Sequence, residues 1–193
     1  MLMPMPLDDE TRQALAEHYR INIVEIDVHD WDDALTPWPE PGVMPHDPPF
    51  KGLAAQTLSQ IKTEIIPQVE KTRSAERYLL GISLSGLFAV WAWMQDDTFS
   101  AIASISGSFW YDNFTQWLAQ NGRRPLDGRA YLSLGDREGD THIRRFKPVV
   151  ADTAEVEKLL RQFGAEVKFE STQGTHYAPM LPRIVKALDF LAI

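Results

Sequence analysis

Apolar residues recur along this chain with two different periods. Short aliphatic and β-branched runs at Ile21–Val28, Arg77–Ile82, Ala101–Ser106, Arg129–Leu134 and Ala165–Glu170 read as strands. Longer stretches of helical period separate them. Asp8–Tyr19 opens with acidic residues, which suit the positive end of a helix dipole. Gly52–Lys71 places Leu58, Ile61, Ile65, Ile66 and Val69 on one face, with a kink expected at Pro67. Leu84–Met94 is apolar nearly all round, as a helix buried against the middle of a sheet would be. Asp152–Phe163 and Pro179–Leu191 carry Val156, Leu159, Leu160 and Leu181, Ile184, Leu188 at helical spacing. Strand alternating with helix predicts an α/β fold with three layers, a mostly parallel sheet covered by helices on both faces.

One segment breaks the alternation. Asp30–Phe50 is rich in Pro and acids and holds Trp31 and Trp38, so it reads as a long functional loop or an insert. It leaves from the carboxyl end of a predicted strand, the end where open parallel sheets bind their ligands.

The chain has 193 residues, 44% of them hydrophobic, which is enough for one core and therefore one domain spanning 1–193. Its net charge of −8 argues against a nucleic-acid surface. No apolar run approaches the roughly 20 residues of a membrane span. Met1–Leu7 is too short, too Pro-rich and too poor in Lys and Arg for a signal peptide, so the expected location is cytoplasmic. With no Cys, thiolate chemistry and disulfides are excluded. A G-x-G-x-x-G or G-x-x-x-x-G-K phosphate loop is missing from the sequence, which counts against a nucleotide- or flavin-binding relative of the same layered fold.

The chemistry centres on Gly81-Ile82-Ser83-Leu84-Ser85-Gly86, between an apolar strand and an apolar helix. That is the setting of a nucleophile elbow, in which small residues flank a strained Ser. The bland alternative is that Gly81 only lets helix and strand pack closely. A Ser nucleophile needs a His to take its proton and an acid to orient that His, in the chain order Ser, acid, His. His176 lies in the loop after the last predicted strand; His18, His29, His46 and His142 are worse placed. After Arg129–Leu134 three carboxylates compete for the acid. Glu138 comes first, because the loop can fold back there, then Asp136, then Asp140. The oxyanion needs donors, and the backbone N–H of Leu84 is the expected first one. For the second, only Met1–Leu7 precedes the first helix, and with Pro4 and Pro6 unable to donate, Met5 or Leu7 would have to serve.

Weaker signals are a hard-metal reading of His29, Asp30, Asp32 and Asp33, against which loop capping is preferred, and the basic spots Arg123-Arg124 and Arg144–Lys147, which could meet an anionic substrate but more simply form a solvated face. No metal or other cofactor is expected.

The run GISLSGLFAVWAWMQDDTFSAIASISGSFWY, together with DVHDWDDALTPWPEP, YLSLGDRE and the G-x-H of QGTHYAP, resembles the esterases of the α/β-hydrolase superfamily related to enterochelin esterase. The resemblance covers nearly the whole chain from about Asp8. It implies a minimal α/β-hydrolase, with Ser83 as nucleophile, Glu138 as acid, His176 as general base, and Trp31, Trp38 and Trp110 lining the substrate pocket. It departs at Ser85, where many relatives carry Gly or Ala. It departs also before the first helix, where relatives have a central strand and here only Met1–Leu7 stands; the N-terminal strands are thus reduced or missing. The leading expectation is a serine esterase that cleaves a carboxylic ester through an acyl-enzyme. The alternative is a non-catalytic binding or scaffolding protein with an incomplete oxyanion hole. The expected partner is a small-molecule ester, with neither nucleic acid nor membrane, and a homodimer is left open.

Overall fold

The computed structural model describes residues 1–70, 76–123 and 126–191. Among these residues, six parallel strands form one sheet: β1 (Leu2–Met3), β2 (Val24–Glu25), β3 (Tyr78–Ile82), β4 (Ala101–Ile105), β5 (Arg129–Gly135) and β6 (Glu166–Thr172), in the spatial order β2-β1-β3-β4-β5-β6. The short segment before the first helix does supply a strand. Leu2 pairs with Val24 on one side and with Leu79 on the other, so β1 is internal to the sheet and buried.

Alternation along each strand sorts side chains onto two cores. On one face Leu79, Ile102, Ala130 and Leu132 pack with Leu58 of α3 (Ala54–Gln60), with α5 (Leu84–Trp93), with α6 (Phe114–Asn121) and with α7 (Val149–Phe163). On the other, Leu80, Ala103, Ile105 and Tyr131 pack with Leu15 of α1 (Asp9–His18) and with Ile184 and Leu188 of α8 (Leu181–Leu191). Every residue of α5 is buried, as its all-round apolar sequence predicts. The side chain of Asp8 caps α1 by accepting the Thr11 N–H at 2.7 Å.

Some boundaries differ from the sequence reading. The strand predicted over Ile21–Val28 shrinks to the two-residue edge β2, whose residues are only half-buried. The helix predicted over Gly52–Lys71 is interrupted: residues Ile61–Ile65 form a π turn, and a short α4 (Ile66–Val69) follows. Pro67 has no N–H to donate and would crowd the carbonyl four residues before it; the change to i→i+5 bonding ahead of it takes up that misfit. Lys71 lies outside the described residues. The Pro-rich loop is folded: it contains α2 (Trp31–Ala34) and an antiparallel bridge between Glu40 and Phe50, and Leu53 and Ala54 donate to the carbonyls of Asp33 and Thr36.

Candidate active site

The parallel register brings one end of several strands to a common level. Ile82 pairs with Ile105, Ile105 with Ser133, and Gly135 with Thr172. The turns that leave these ends carry Ser83, Ser106, Glu138 and His176. All four line one cavity of about 460 Å³.

Ser83 connects β3 to α5 with φ 61° and ψ −124°, a conformation that L-residues seldom adopt. What forces it is the closeness of helix to strand. A Cβ on Gly81 would lie 2.0 Å from the Ser85 carbonyl oxygen and 2.2 Å from its carbon. Ser85 is fully buried, its Oγ accepting from Ile82 N–H at 2.7 Å and donating to Ile82 O at 3.0 Å, so this residue clasps the elbow. Ser83 N–H donates to Ile105 O, and Ser108 N–H to Ser83 O. Among the described residues Ser83 Oγ has one hydrogen-bond neighbour, Ser108 Oγ at 3.3 Å.

The loops after β5 and β6 are joined backbone to backbone. Asp136 N–H donates to Thr172 O, Arg137 N–H to Gly174 O, and Gly174 N–H to Asp136 Oδ1 at 2.8 Å. Asp136 therefore fixes the loops, whereas Asp140 lines the cavity and Glu138 turns inward. A side chain at Gly135 would collide with Gly174 O at 2.5 Å, so the loops could not approach as they do. Glu138 is buried and receives the Gly135 N–H at 2.7 Å on Oε1, where Ser106 Oγ–H also donates. Its Oε2 lies 3.0 Å from His176 Nδ1. Burial alone would raise the Glu138 carboxyl, but the hydrogen bonds from His176, Ser106 and Gly135 outweigh it and hold the group below the usual glutamate range. An ionised carboxylate only accepts, so Nδ1 donates to it, and in the neutral tautomer with that proton on Nδ1 it is Nε2 that can accept one.

The walls are largely apolar: Trp31, Phe50, Leu84, Trp110, Phe146 and Val149. Trp31 and Trp110 are among the residues that line this cavity. Trp38 is not; its ring stacks on Phe114 and tilts against Tyr111 and Trp117, and its Nε1–H donates to Asp112 O at 3.2 Å, which makes it part of the packing beneath. Arg145, read as part of a basic spot, is instead a clasp. Its guanidinium lies over Phe50 and Trp110, each centroid at 5.6 Å, and donates to the carbonyls of Pro41 and Gly42 and to Asp112. Of Arg123-Arg124, Arg123 pairs with Asp97, and Arg124 lies outside the described residues. The acids beyond β2 are also spoken for: Asp33 accepts from Lys51, Asp32 lines the cavity, and among the described residues no three His, Asp or Glu gather as a metal site would require.

Leu84, the first residue of α5, lines the cavity, and N–H groups in a first helical turn have no intrahelical acceptor. Met5 does not provide the expected second donor. Its N–H closes a tight turn onto Met3 O at 2.8 Å, between the two prolines, and its side chain packs against the core on the α1 and α8 side. Leu7 N–H is likewise taken, by Glu25 Oε2 at 2.9 Å. Sequence reasoning missed Arg183, a buried residue of α8 whose Nη2 reaches Ser106 Oγ at 2.6 Å and Glu138 Oε1 at 3.4 Å. Its signal was available: a cation in register with the inward stripe Ile184, Ala187, Leu188 and Leu191.

A model of the family described as "Putative esterase" matches residues 7–183. The chain is 28% identical over 170 residues to the uncharacterized protein YbbA of Bacillus subtilis (strain 168), covering 82% of this chain and 68% of YbbA. Similar solved structures are an IroE-like serine hydrolase from Shewanella oneidensis (TM-score 0.74, 16% identity, 98% of this chain and 68% of that one) and the siderophore hydrolase EstA from Aspergillus nidulans (TM-score 0.67, 20% identity, 95% and 76%). At these identities the two structures bear on the fold, which they share.

Proposed function

The chain belongs to the Putative esterase family, and on that premise we propose that it hydrolyses a carboxylic ester through an acyl-enzyme on Ser83, with His176 as general base and Glu138 as the acid that orients it. In the first half-reaction Ser83 Oγ bonds to the ester carbonyl carbon as its proton passes to His176 Nε2. The C–O bond to the alcohol then breaks, and the alcohol leaves with that proton. Water repeats the sequence in reverse roles and frees the acid. Leu84 N–H is the donor to the oxyanion that forms in each half-reaction.

The observation that carries this reading is one cavity shared by a strained Ser on a strand-to-helix turn and a His held through Nδ1 by a buried carboxylate. The aromatic walls favour an ester bearing an aromatic or apolar group. Because EstA is named a siderophore hydrolase, ester-linked siderophores belong in the trial set beside p-nitrophenyl esters. Turnover of at least one such ester is expected, falling by about 1000-fold or more in Ser83→Ala and His176→Ala, with both variants melting near the wild-type temperature. Equal turnover in Ser83→Ala would refute the assignment.

A second reading is favoured by a specific observation. The N–H groups of Met5 and Leu7 are both bonded elsewhere, which suits a binding protein that keeps the hydrolase core without a complete oxyanion hole. It predicts tight binding of an ester with no turnover.

A further inference from the structure

Glu138 and Arg183 are the two buried charged side chains among the described residues. They belong to one chain of contacts. Arginine only donates, so Ser106 Oγ must accept from Arg183 Nη2 at 2.6 Å; its single proton is then directed to Glu138 Oε1. Oε1 also takes the Gly135 N–H, and Oε2 is left to His176. Ser106, the residue that follows β4, has φ 49°, a left-handed conformation rarely taken by serine.

We propose that Arg183 and Ser106 are positioning residues of the active site, a buried pair that neutralises Glu138 and turns its free oxygen toward His176. The proposal rests on the esterase reading. Its physical content is charge balance. With Arg183 present, a carboxylate beside a neutral imidazole is the uncharged state of the buried cluster. Without the guanidinium, the same cluster becomes neutral only by binding a proton, and that proton occupies the base. The other groups facing the pair are less able to do this. Asp136, Arg137 and Asp140 on the β5 turn and Asp32 across the cavity are exposed and screened by solvent, Asp136 being already committed to Gly174 N–H. Tyr131 of β5, near Arg183, donates to Glu170 of β6, which in turn pairs with Lys186 of α8.

The test is the titration of the His176 ring protons by NMR in the full chain, with the acid limb of kcat/KM as a second readout. In Arg183→Met the midpoint and the acid limb should both move up by about one pH unit, tenfold in proton affinity. Arg183→Lys, which keeps the cation, should titrate close to wild type. Ser106→Ala should shift in the same direction by less, and it decides the matter if Arg183→Met does not fold. A titration in Ser106→Ala or folded Arg183→Met that superimposes on wild type overturns the proposal. The two failures are distinguishable, because a wild-type protein without Ser83-dependent turnover sinks the esterase reading while the NMR midpoint still decides the role of Arg183.

Discussion

Replacing Glu138 by Gln changes one atom, and the structure allows its effects on stability and on turnover to be worked out separately. The amide oxygen can take the place of Oε1 and still accept from Gly135 N–H and Ser106. The amide nitrogen then stands where Oε2 met His176 Nδ1 at 3.0 Å, and it is a donor. The imidazole can satisfy it only by moving its proton to Nε2, the wrong tautomer for a base. A loss of about 10⁴-fold in kcat follows, or about 5 kcal/mol of barrier. Stability falls for a different reason: Arg183, 3% exposed, keeps its charge and loses its counter-ion. Breaking such a pair costs about 3 kcal/mol, roughly 6–12 °C of melting temperature for a chain of this size. Glu138→Gln combined with Arg183→Met removes both charges and should recover much of that stability while leaving turnover lost. The assays are thermal unfolding and steady-state hydrolysis of the best chromogenic ester. A kcat within about tenfold of wild type in Glu138→Gln would refute the tautomer reasoning. Failure of the double variant to regain stability would refute the ion-pair reasoning.

Three further outcomes are expected. Gly81→Ala drives a methyl against the backbone of Ser85 at 2.0 Å, so melting should fall by the equivalent of about 3 kcal/mol and turnover by about 100-fold as the elbow shifts; unchanged melting and kcat would contradict it. Ser83→Gly relieves the backbone at φ 61° and should stabilise the protein by about 1 kcal/mol while abolishing turnover, both read in the same pair of assays. Burial raises the Asp152 carboxyl to about 6. Because the fold favours its protonated form, this contribution to stability is present below the ordinary aspartate range and is lost as pH rises through 6. Asp152→Asn should therefore raise the melting temperature at pH 8 and leave it nearly unchanged at pH 4, with equal shifts at both pH values counting against the assignment.

How much of this was legible in the sequence depends on whether local pattern or long-range contact decides each feature. β3, β4 and β5 are central strands with largely apolar runs, and their predicted bounds match to within one residue. β2 is an edge strand with a single partner, so the aliphatic run Ile21–Val28 overstates its pairing. α6 lies outside the elements predicted from the pattern, although Phe114, Trp117 and Leu118 have helical spacing. At the site, Ser83, Glu138 and His176 are found together in one cavity, each on a turn whose place follows from strand order. Met5 and Trp38 could not be placed by such reasoning. The first depends on where one N–H turns between two prolines, the second on which of several Trp rings the Pro-rich loop tucks under itself. Arg183 is the reverse case: the residue was visible, but its partners are 77 and 45 positions away.

The most direct measurement is to treat the protein with a fluorophosphonate, in which an activated serine displaces fluoride from phosphorus, and to locate the adduct by mass spectrometry. A single adduct on Ser83 is expected, absent from Ser83→Ala and formed far more slowly in His176→Ala. An adduct on another residue, or labelling that persists in Ser83→Ala, would contradict the assignment of Ser83 as the nucleophile.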